Sequence, residues 1–247
     1  MNARQAAPIA IVGAMHEEIS ALLPCLEQPC AVRRGGRDFH LGRLEGHDVI
    51  LVRSGIGKVA AATTCAVLLD AFGACALLFT GVAGGLGERV RVGDIVVATE
   101  LLQHDMDASP LFPRWEVPLT GRARFAADPS WTARVAEACR TLATSRASSP
   151  RGVVHEGLVV SGDRFVSTHA ESDLLRARLP DALAVEMEGA ALAQVCHDFG
   201  RPFAVVRTIS DRADDEAHGD FQRFVDDVAA PYSRDIVRAV LAHLAAG

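Results

Sequence analysis

Short apolar runs rich in Val, Ile and Leu alternate with helix-like segments along the chain. Apolar runs of this length, bounded by glycine or polar residues, are typical of strands buried on both faces of a sheet. They predict strands at Ile9–Gly13, Val49–Ser54, Leu77–Gly81, Asp94–Thr99, Gly157–Ser161, Ala182–Glu186 and Phe203–Ile209. The segments between them predict helices at Glu17–Glu27, Lys58–Phe72, Ser130–Ala143, Ala170–Leu179, Gly189–Phe199 and Phe221–Ala245. This alternation predicts an α/β fold.

One hairpin makes the predicted sheet mixed rather than purely parallel: Arg37–Leu44 and His47–Arg53 are joined only by Glu45 and Gly46. A chain of 247 residues can still share one core. We therefore expect residues 1–247 to form a single domain, a three-layer α/β/α sandwich with a mixed central sheet. The proline-rich stretch Gln103–Pro129 is the one long irregular segment, which predicts a binding loop or an interface arm, or else a solvated excursion.

Charge and hydropathy exclude several classes of protein. The net charge of −6 provides no basic field for nucleic acid. The apolar stretch Val59–Gly87 has an alanine-rich first half and a glycine break, which favours a helix followed by a strand over a membrane span. The apolar run Pro8–Met15 is barely long enough for a signal core before His16 interrupts it, so we expect a cytoplasmic protein. The scattered cysteines form no Cys-x-x-Cys pair and predict no metal site.

Polar or glycine-rich patches follow most of the predicted strands. The patches are Gly13–Glu18, Ser54–Lys58, Thr80–Gly85, Ser161–Asp163, Glu186–Gly189 and Ser210–Asp211. Ligands of open α/β sheets bind outside the carboxyl ends of the strands. The patches therefore predict one composite pocket.

Carboxylates occur in three of these patches, as Glu17 and Glu18, as Glu186 and Glu188, and as Asp211. A carboxyl group held against apolar walls has a raised pKa and can act as an acid or base near neutral pH. Capping of helix N-termini is the alternative interpretation, because the helix dipole stabilises acids in a first turn.

Known nucleotide-binding motifs do not explain the patches. The run Gly55–Lys58 lacks both the first glycine and the Ser or Thr of a phosphate-binding loop. No Rossmann glycine motif follows the first strand, and Pro110 stands where an EF-hand loop starting near His104 would need glycine.

Six segments together resemble one enzyme family. They are IAIVGAMHEEI, SGIGKVAAA, TGVAGGL, VGDIVVA, LVVSGDRF and AVEMEGAALAQVCHDFGRPFAVVRTISD. The chain resembles the 5′-methylthioadenosine/S-adenosylhomocysteine nucleosidases of the purine nucleoside phosphorylase superfamily, from about Ile9 to the C-terminal helix. The resemblance implies a homodimer that hydrolyses the bond between adenine and a 5′-thio-substituted ribose without a cofactor.

The resemblance also implies roles for individual residues. Glu18 matches the base that activates water, Asp211 the acid that protonates adenine, and Glu188 the carboxylate that holds the ribose hydroxyls. Phe165 matches the aromatic residue stacked on the base, and Val166 the residue whose backbone binds its edge. The full expected binding set is Met15, Ile56, Val82, Ala83, Gly84, Phe165, Val166, Glu186, Met187, Arg207, Ser210 and Phe221, with Ser210 orienting Asp211 and Arg207 beneath the ribose carboxylate.

The glycine motif Phe79–Gly84 favours water over phosphate as the nucleophile. Phosphorylases of the superfamily place a basic residue and a hydroxyl around this motif, whereas this chain has Phe79 and Val82. Alternatives remain: a hydrolase of futalosine-like or inosine-like nucleosides, a phosphorylase, or a non-catalytic nucleoside-binding module. Val82 and His16 depart from the family pattern, which has serine and an acid there in many members.

Three apolar residues of the irregular stretch, Leu111, Phe112 and Trp115, lie where a neighbouring subunit usually closes the pocket for the 5′ substituent. They predict either a contact that selects this substituent or a dimer contact.

Overall fold

The computed structural model describes residues 7–144 and 152–245. Ten strands form one sheet: β1 Ile9–Gly13, β2 Glu27–Arg34, β3 Arg37–Leu44, β4 His47–Arg53, β5 Ala76–Gly85, β6 Ile95–Gln103, β7 Arg124–Ala126, β8 Val154–Ser161, β9 Ala182–Glu186 and β10 Phe203–Asp211. The α-helices are α1 His16–Ile19, α2 Lys58–Asp70, α3 Pro129–Thr144, α4 His169–Arg178, α5 Gly189–Asp198, α6 Ala217–Phe224 and α7 Ala230–Ala245.

The sheet is mixed, and part of it closes on itself. β1 pairs in parallel with β4 and β5, and β5 pairs in parallel with β10. β10 is antiparallel to β6, which continues in parallel through β8 to β9. β9 then returns to β5 in antiparallel pairing, with Gly84 opposite Val185. This closure brings the carboxyl end of β9 beside the carboxyl ends of β5 and β10.

Helices cover both faces of the sheet, which confirms the predicted α/β sandwich with a mixed central sheet. On one face, Cys65 and Leu68 of α2 pack with Leu192 of α5 against β1, β4 and β5. On the other face, Val135 of α3 and Ile236 of α7 share a second cluster with the alternate residues of the same strands. The predicted continuous apolar strands are therefore buried on both sides, as parallel strands between helices require.

The first predicted helix is wrong over most of its length. α1 covers only His16–Ile19, and a single 3₁₀ turn follows at Leu23–Cys25, where Pro24 prevents a regular helix. Glu27–Arg34 is a strand, β2, which the sequence analysis missed. Nearly all its side chains are exposed at the edge of the sheet, so backbone bonds to β3 hold it and no apolar pattern marks it.

The boundaries of several other elements also differ from prediction. β5 and β10 run on through Gly85 and Asp211, because Gly84 pairs with Asp211 past a bulge. The stretch Gln103–Pro129 is irregular at 104–123 and 127–128, since Gln103 ends β6, Arg124–Ala126 pairs with β6 as β7, and Pro129 begins α3. The last predicted helix begins earlier, at Ala217, and contains a π-helical turn at Val225–Ala229.

The long apolar stretch divides as predicted, into α2 and β5. In the described ranges, 7–144 and 152–245, no helix combines the length and the apolar character that crossing a membrane requires.

Candidate active site

A cavity of about 390 Å³ lies at the carboxyl ends of β1, β5, β9 and β10. It is lined by Ala14, Met15, Glu18, Ile56, Val82, Ala83, Gly84, Phe165, Val185, Glu186, Met187, Glu188, Ser210, Asp211, His218, Phe221 and Gln222. Glu18, Glu188 and Asp211, far apart in sequence, therefore face one shared space.

Glu18 follows β1 and is almost fully buried, with 3% of its surface exposed. Its Oε2 accepts hydrogen bonds from the N–H groups of Ala14, at 2.5 Å, and Met15, at 3.0 Å, so it also caps α1. Its Oε1 accepts one from Val82 N–H at 3.0 Å. Burial raises the pKa of Glu18, and Arg207 and these hydrogen bonds offset part of that rise. The result is a carboxylate that is both fixed in place and more basic than usual.

Two glycines of β5 make room for the carboxylates. A Cβ on Gly81 would lie 2.5 Å from Oε1 of Glu18, and one on Gly84 would lie 2.9 Å from Oδ1 of Asp211. Both distances are far inside van der Waals contact, so only glycine allows the strand this close to the two groups. This explains a glycine-rich segment inside a buried strand.

Asp211 ends β10 with only 1% of its surface exposed. Its Oδ2 accepts a hydrogen bond from the Ser210 hydroxyl and its Oδ1 one from Ala213 N–H, both at 2.8 Å. Burial is the largest effect on the pKa of Asp211 and raises it, these two hydrogen bonds lower it, and the nearby carboxylates of Asp214 and Asp220 raise it further. The net upward shift favours a carboxyl group that keeps its proton closer to neutral pH.

Glu188 stands just before α5, but its side chain does not cap that helix. Instead, Oε1 accepts a hydrogen bond from Gly57 N–H at 2.8 Å. Burial, followed by repulsion from Glu186 and Glu18, raises the pKa of Glu188 to about 8, against lowering effects of Gly57 and Arg207. The capping alternative therefore does not account for this residue.

Glu186 is the residue that caps α5, because its carboxylate accepts the Gly189 N–H at 2.8 Å. It also forms a buried salt bridge with Arg207, at 2.7 Å, and accepts a hydrogen bond from the Ser161 hydroxyl. Arg207 thus contacts Glu186, and its guanidinium lies 3.9 Å from the centre of the Phe79 ring. The sequence interpretation placed Arg207 beneath Glu188, whereas Glu186 is its direct partner.

Apolar side chains form the remaining walls. The rings of Phe165 and Phe221 meet edge to face, with centroids 5.4 Å apart, and Met15, Ile56 and Met187 complete the lining. Val166 is buried behind this wall, in a small void that it shares with Phe165, Met187 and Asp211. Such a cavity, apolar with a few convergent polar groups, suits a small organic ligand.

Lys58 connects the loop that holds Glu188 to two other segments. Its Nζ lies 2.7 Å from Oδ1 of Asp105, and its backbone N–H donates to Asp163 at 2.7 Å. Asp163 N–H in turn donates to Oδ2 of Asp105 at 3.0 Å. The patch Ser161–Asp163 was expected at the pocket, but none of its residues lines the cavity: Ser161 hydrogen-bonds Glu186, and Asp163 accepts the backbone N–H of Lys58.

The sequence analysis missed two polar side chains of the cavity, His218 and Gln222. They lie on α6 one turn apart, beside Phe221. The predicted helix started only at Phe221, so this face was not recognised; a helix starting at Ala217 would have shown it.

Leu111, Phe112 and Trp115 do not line this chain's own cavity. The Trp115 indole N–H donates to the His104 carbonyl at 3.1 Å. Among the described residues, no three His, Cys, Asp or Glu side chains converge in a way that could hold a metal ion.

A family model described as the phosphorylase superfamily matches residues 8–242. The fold and the carboxylate-lined cavity thus belong to a member of this superfamily. A 5′-methylthioadenosine/S-adenosylhomocysteine nucleosidase of Anoxybacillus flavithermus is 39% identical over 96% of this chain and 98% of its own length. The chain belongs to this nucleosidase family, whose members are N-ribosyl hydrolases.

Solved structures agree with that assignment. The Neisseria meningitidis nucleosidase, in complex with methylthio-immucillin-A, has a TM-score of 0.88 and 38% identity, covering 96% of this chain and 99% of that one. A futalosine hydrolase of Helicobacter pylori has a TM-score of 0.86 and 34% identity, covering 96% of this chain and 99% of its own. The fold is therefore shared by enzymes named for different nucleosides.

Proposed function

We propose that this cavity hydrolyses the N-glycosidic bond of 5′-methylthioadenosine and S-adenosylhomocysteine, releasing adenine and the 5′-thioribose product. One observation supports this most: Glu18, Glu188 and Asp211 are buried around a single cavity and all have raised pKa values. Relatives named for these two substrates match almost the whole chain.

The proposed reaction uses the carboxyl groups of Asp211 and Glu18 in turn. Asp211 gives its proton to the imidazole-side ring nitrogen of adenine while the bond between C1′ and the base breaks, so the base leaves as a neutral molecule. The ribose carbon then resembles an oxocarbenium ion, as in other glycoside hydrolyses. Water adds to C1′ from the other face, and Glu18 accepts its proton. Neither step needs a cofactor.

The remaining groups bind and orient the substrate in this proposal. Oε1 of Glu188 is held by Gly57, which leaves Oε2 to hydrogen-bond the ribose hydroxyls. Phe165 stacks on the base, and the backbone at Val166 binds its edge. The Ser210 hydroxyl donates to Oδ2 of Asp211 at 2.8 Å and lies 3.4 Å from the Ala83 carbonyl, so it orients the carboxyl group that faces the base.

Water is the nucleophile in this proposal because the residues of the glycine motif that line the cavity, Val82, Ala83 and Gly84, have no side chain that binds phosphate. Val82 lines the cavity with an apolar side chain, and Phe79 is fully buried with its ring against Arg207. The Glu18 carboxylate beside Val82 would repel a phosphate dianion.

We also infer a homodimer, which the resemblance to the nucleosidase family implies. Leu111 and Leu119 of the 104–123 segment are 84% and 89% exposed and are the candidate contact residues. The cytoplasmic location stays a prediction of the sequence.

The proposal is tested by incubating the enzyme with each substrate and separating the products by chromatography. Adenine and a free thioribose sugar are expected, in equal amounts and with the same products in phosphate buffer. Formation of a sugar 1-phosphate would overturn the choice of water. Futalosine and inosine belong in the same panel, because the H. pylori neighbour is named a futalosine hydrolase; a strong preference for either would replace the proposed substrates.

A further inference from the structure

A second, larger hollow adjoins the active-site cavity. It has a volume of about 970 Å³ and shares Ala14, Met15 and Ile56 with the cavity, so the two spaces adjoin at these side chains. Its far side is formed by β3 and the end of β4. We call it the β3–β4 groove. Any substituent that leaves the ribose between Met15 and Ile56 enters it.

Charged side chains of both signs line this groove: Arg33, Arg37, Arg53, Glu17 and Asp38. Arg33 is paired with Asp38 at 3.0 Å. The guanidinium of Arg37 donates to the backbone carbonyls of Ser54 and Gly35, both at 2.9 Å. These three residues already have partners within the chain.

Arg53 and Glu17 differ from the others. The side chain of Arg53 is exposed, and that of Glu17 is half-buried. Across residues 7–144 and 152–245, neither side chain makes a hydrogen bond or a salt bridge, and the two do not pair with each other. The groove therefore presents one available cation and one available anion beside the exit from the cavity.

We propose that the β3–β4 groove binds the amino-acid end of a 5′-S-linked substituent, with Arg53 bound to its α-carboxylate and Glu17 to its α-ammonium group. This assignment rests on the proposed function. An α-amino acid carries these two charges on one carbon, which matches a groove with one free charge of each sign. Guanidinium and carboxylate groups form strong charge-assisted hydrogen bonds.

The groove then discriminates between the two proposed substrates. The methyl group of 5′-methylthioadenosine ends at Met15 and Ile56 and does not enter the groove, whereas the homocysteine part of S-adenosylhomocysteine passes through it. Arg53 contributes to binding of the second substrate alone. The ring, ribose and carboxylate contacts are the same for both, so the chemical step is unaffected.

The test compares Arg53→Ala with wild type on three substrates: S-adenosylhomocysteine, 5′-methylthioadenosine and 5′-butylthioadenosine. The butyl compound has a tail of similar length without charges, and so separates length from charge. We expect the KM for S-adenosylhomocysteine to rise about three- to tenfold, as for an exposed or partly buried ion pair. The kcat, and both constants for the other two substrates, should stay within about twofold. Added salt should raise the wild-type KM for S-adenosylhomocysteine and remove the difference between the variants.

Two variants serve as controls. Arg33→Ala removes a groove arginine that already has a partner, and should leave all three substrates unchanged. Arg53→Lys keeps the charge and should recover part of the affinity. Light scattering measures the mass of each variant. If a second copy of the chain covered the groove, replacing Arg53 would weaken that contact and lower the mass.

Each other result overturns the assignment. An unchanged KM of Arg53→Ala for S-adenosylhomocysteine would show that the groove does not bind this substrate. The proposed function would still stand if wild type releases adenine. Equal losses on all three substrates, or a change of mass, would place Arg53 in folding or subunit contact instead. Wild type that releases no adenine would overturn the proposed function, and this assignment with it.

Discussion

Neighbouring groups shift the pKa of the Asp211 carboxyl group in opposite directions. Burial and the nearby acids favour the proton, while the Ser210 hydroxyl and Ala213 N–H favour the charge. Asp211→Asn removes the proton and keeps the shape, including the oxygen that accepts from Ala213. With methylthioadenosine as the substrate, we expect kcat to fall about 10²- to 10⁴-fold, the usual contribution of a general acid, with an unchanged melting temperature.

The rate of adenine release measures kcat, and thermal denaturation measures the melting temperature. Asp70→Asn, an exposed acid at the end of α2, is the matched control and should behave like wild type. Turnover by Asp211→Asn near the wild-type rate would remove Asp211 from the acid role.

Glu188 makes the folding stability depend on pH. Its pKa is about 8 in the folded protein and near 4.5 when unfolded, so the folded state binds more protons between these values. Its contribution is therefore favourable below about pH 4.5 and is lost as the pH rises toward 8. Each unit of pKa difference corresponds to about 1.4 kcal/mol.

Glu188→Gln removes this titration and keeps an oxygen for the Gly57 N–H. We expect the variant to gain stability relative to wild type as the pH rises from 5 to 8.5, by about 2 kcal/mol or more. Urea denaturation at both pH values measures the difference, with the exposed Glu88→Gln as control. If the difference in free energy of unfolding between the variant and wild type stayed constant across this range, Glu188 would be charged throughout in the folded protein.

At the scale of elements, the start of α2 fixes the position of Glu188. Gly57 donates to that carboxylate, and the next residue, Lys58, is tied to Asp105 and Asp163 on two other segments. Lys58→Met should loosen the Gly57 loop, weaken its hydrogen bond to Glu188 and so raise the pKa of Glu188 further.

For Lys58→Met we expect methylthioadenosine to bind more weakly, with KM raised about tenfold and the pKa seen in kcat/KM shifted upward, since a hydrogen bond to a charged group contributes about 1.5–3 kcal/mol. A pH profile of kcat/KM measures both effects. Arg43→Met, at an exposed salt bridge with Asp48, is the control. A tenfold loss of kcat/KM with an unshifted pH profile would indicate a general loss of structure rather than a change at Glu188.

The elements that could be predicted from sequence are those with a buried apolar face. β1, α2 and β9 fall within two residues of prediction because their apolar positions dictate them. β2 has an exposed pattern and depends on backbone bonds to its neighbour, so its side chains give no signal. The ends of β5 and β10 were missed because Gly84 and Asp211 are atypical of strands, and their pairing is a tertiary feature.

The same distinction applies to the site. Carboxylates at strand ends gave five candidates, and the family resemblance selected Glu18, Glu188 and Asp211, which the structure places around one cavity. Their partners could not be predicted, since Gly57 and Glu188 are 131 residues apart in sequence and meet only when the sheet closes. The pairing of Arg207 with Glu186 has the same origin, because β9 and β10 are not adjacent in the sheet.

For the molecule as a whole, the active site depends on the closed part of the sheet. β9 returns to β5 at Gly84 and Val185, so Glu186 and Glu188 come to lie opposite Glu18 and Asp211. Helix α6, which supplies His218, Phe221 and Gln222 to the wall, packs on β10 of this closed region. By contrast, the 104–123 segment leaves Leu111 and Leu119 exposed, and neither lines the cavity.

The exposed leucines allow the proposed homodimer to be tested. In a two-fold dimer, each contact occurs twice, and burying one leucine contributes about 1.5–3 kcal/mol. If Leu111 lies in the interface, Leu111→Ser should therefore raise the dimer dissociation constant about 100-fold or more. Light scattering over a range of protein concentrations measures it. Val153→Ser, which changes a residue that is 61% exposed just before β8, is the control and should leave the constant unchanged. An unchanged constant for Leu111→Ser as well would place the subunit contact elsewhere, because a leucine that is exposed in one chain contributes to assembly only if the partner covers it.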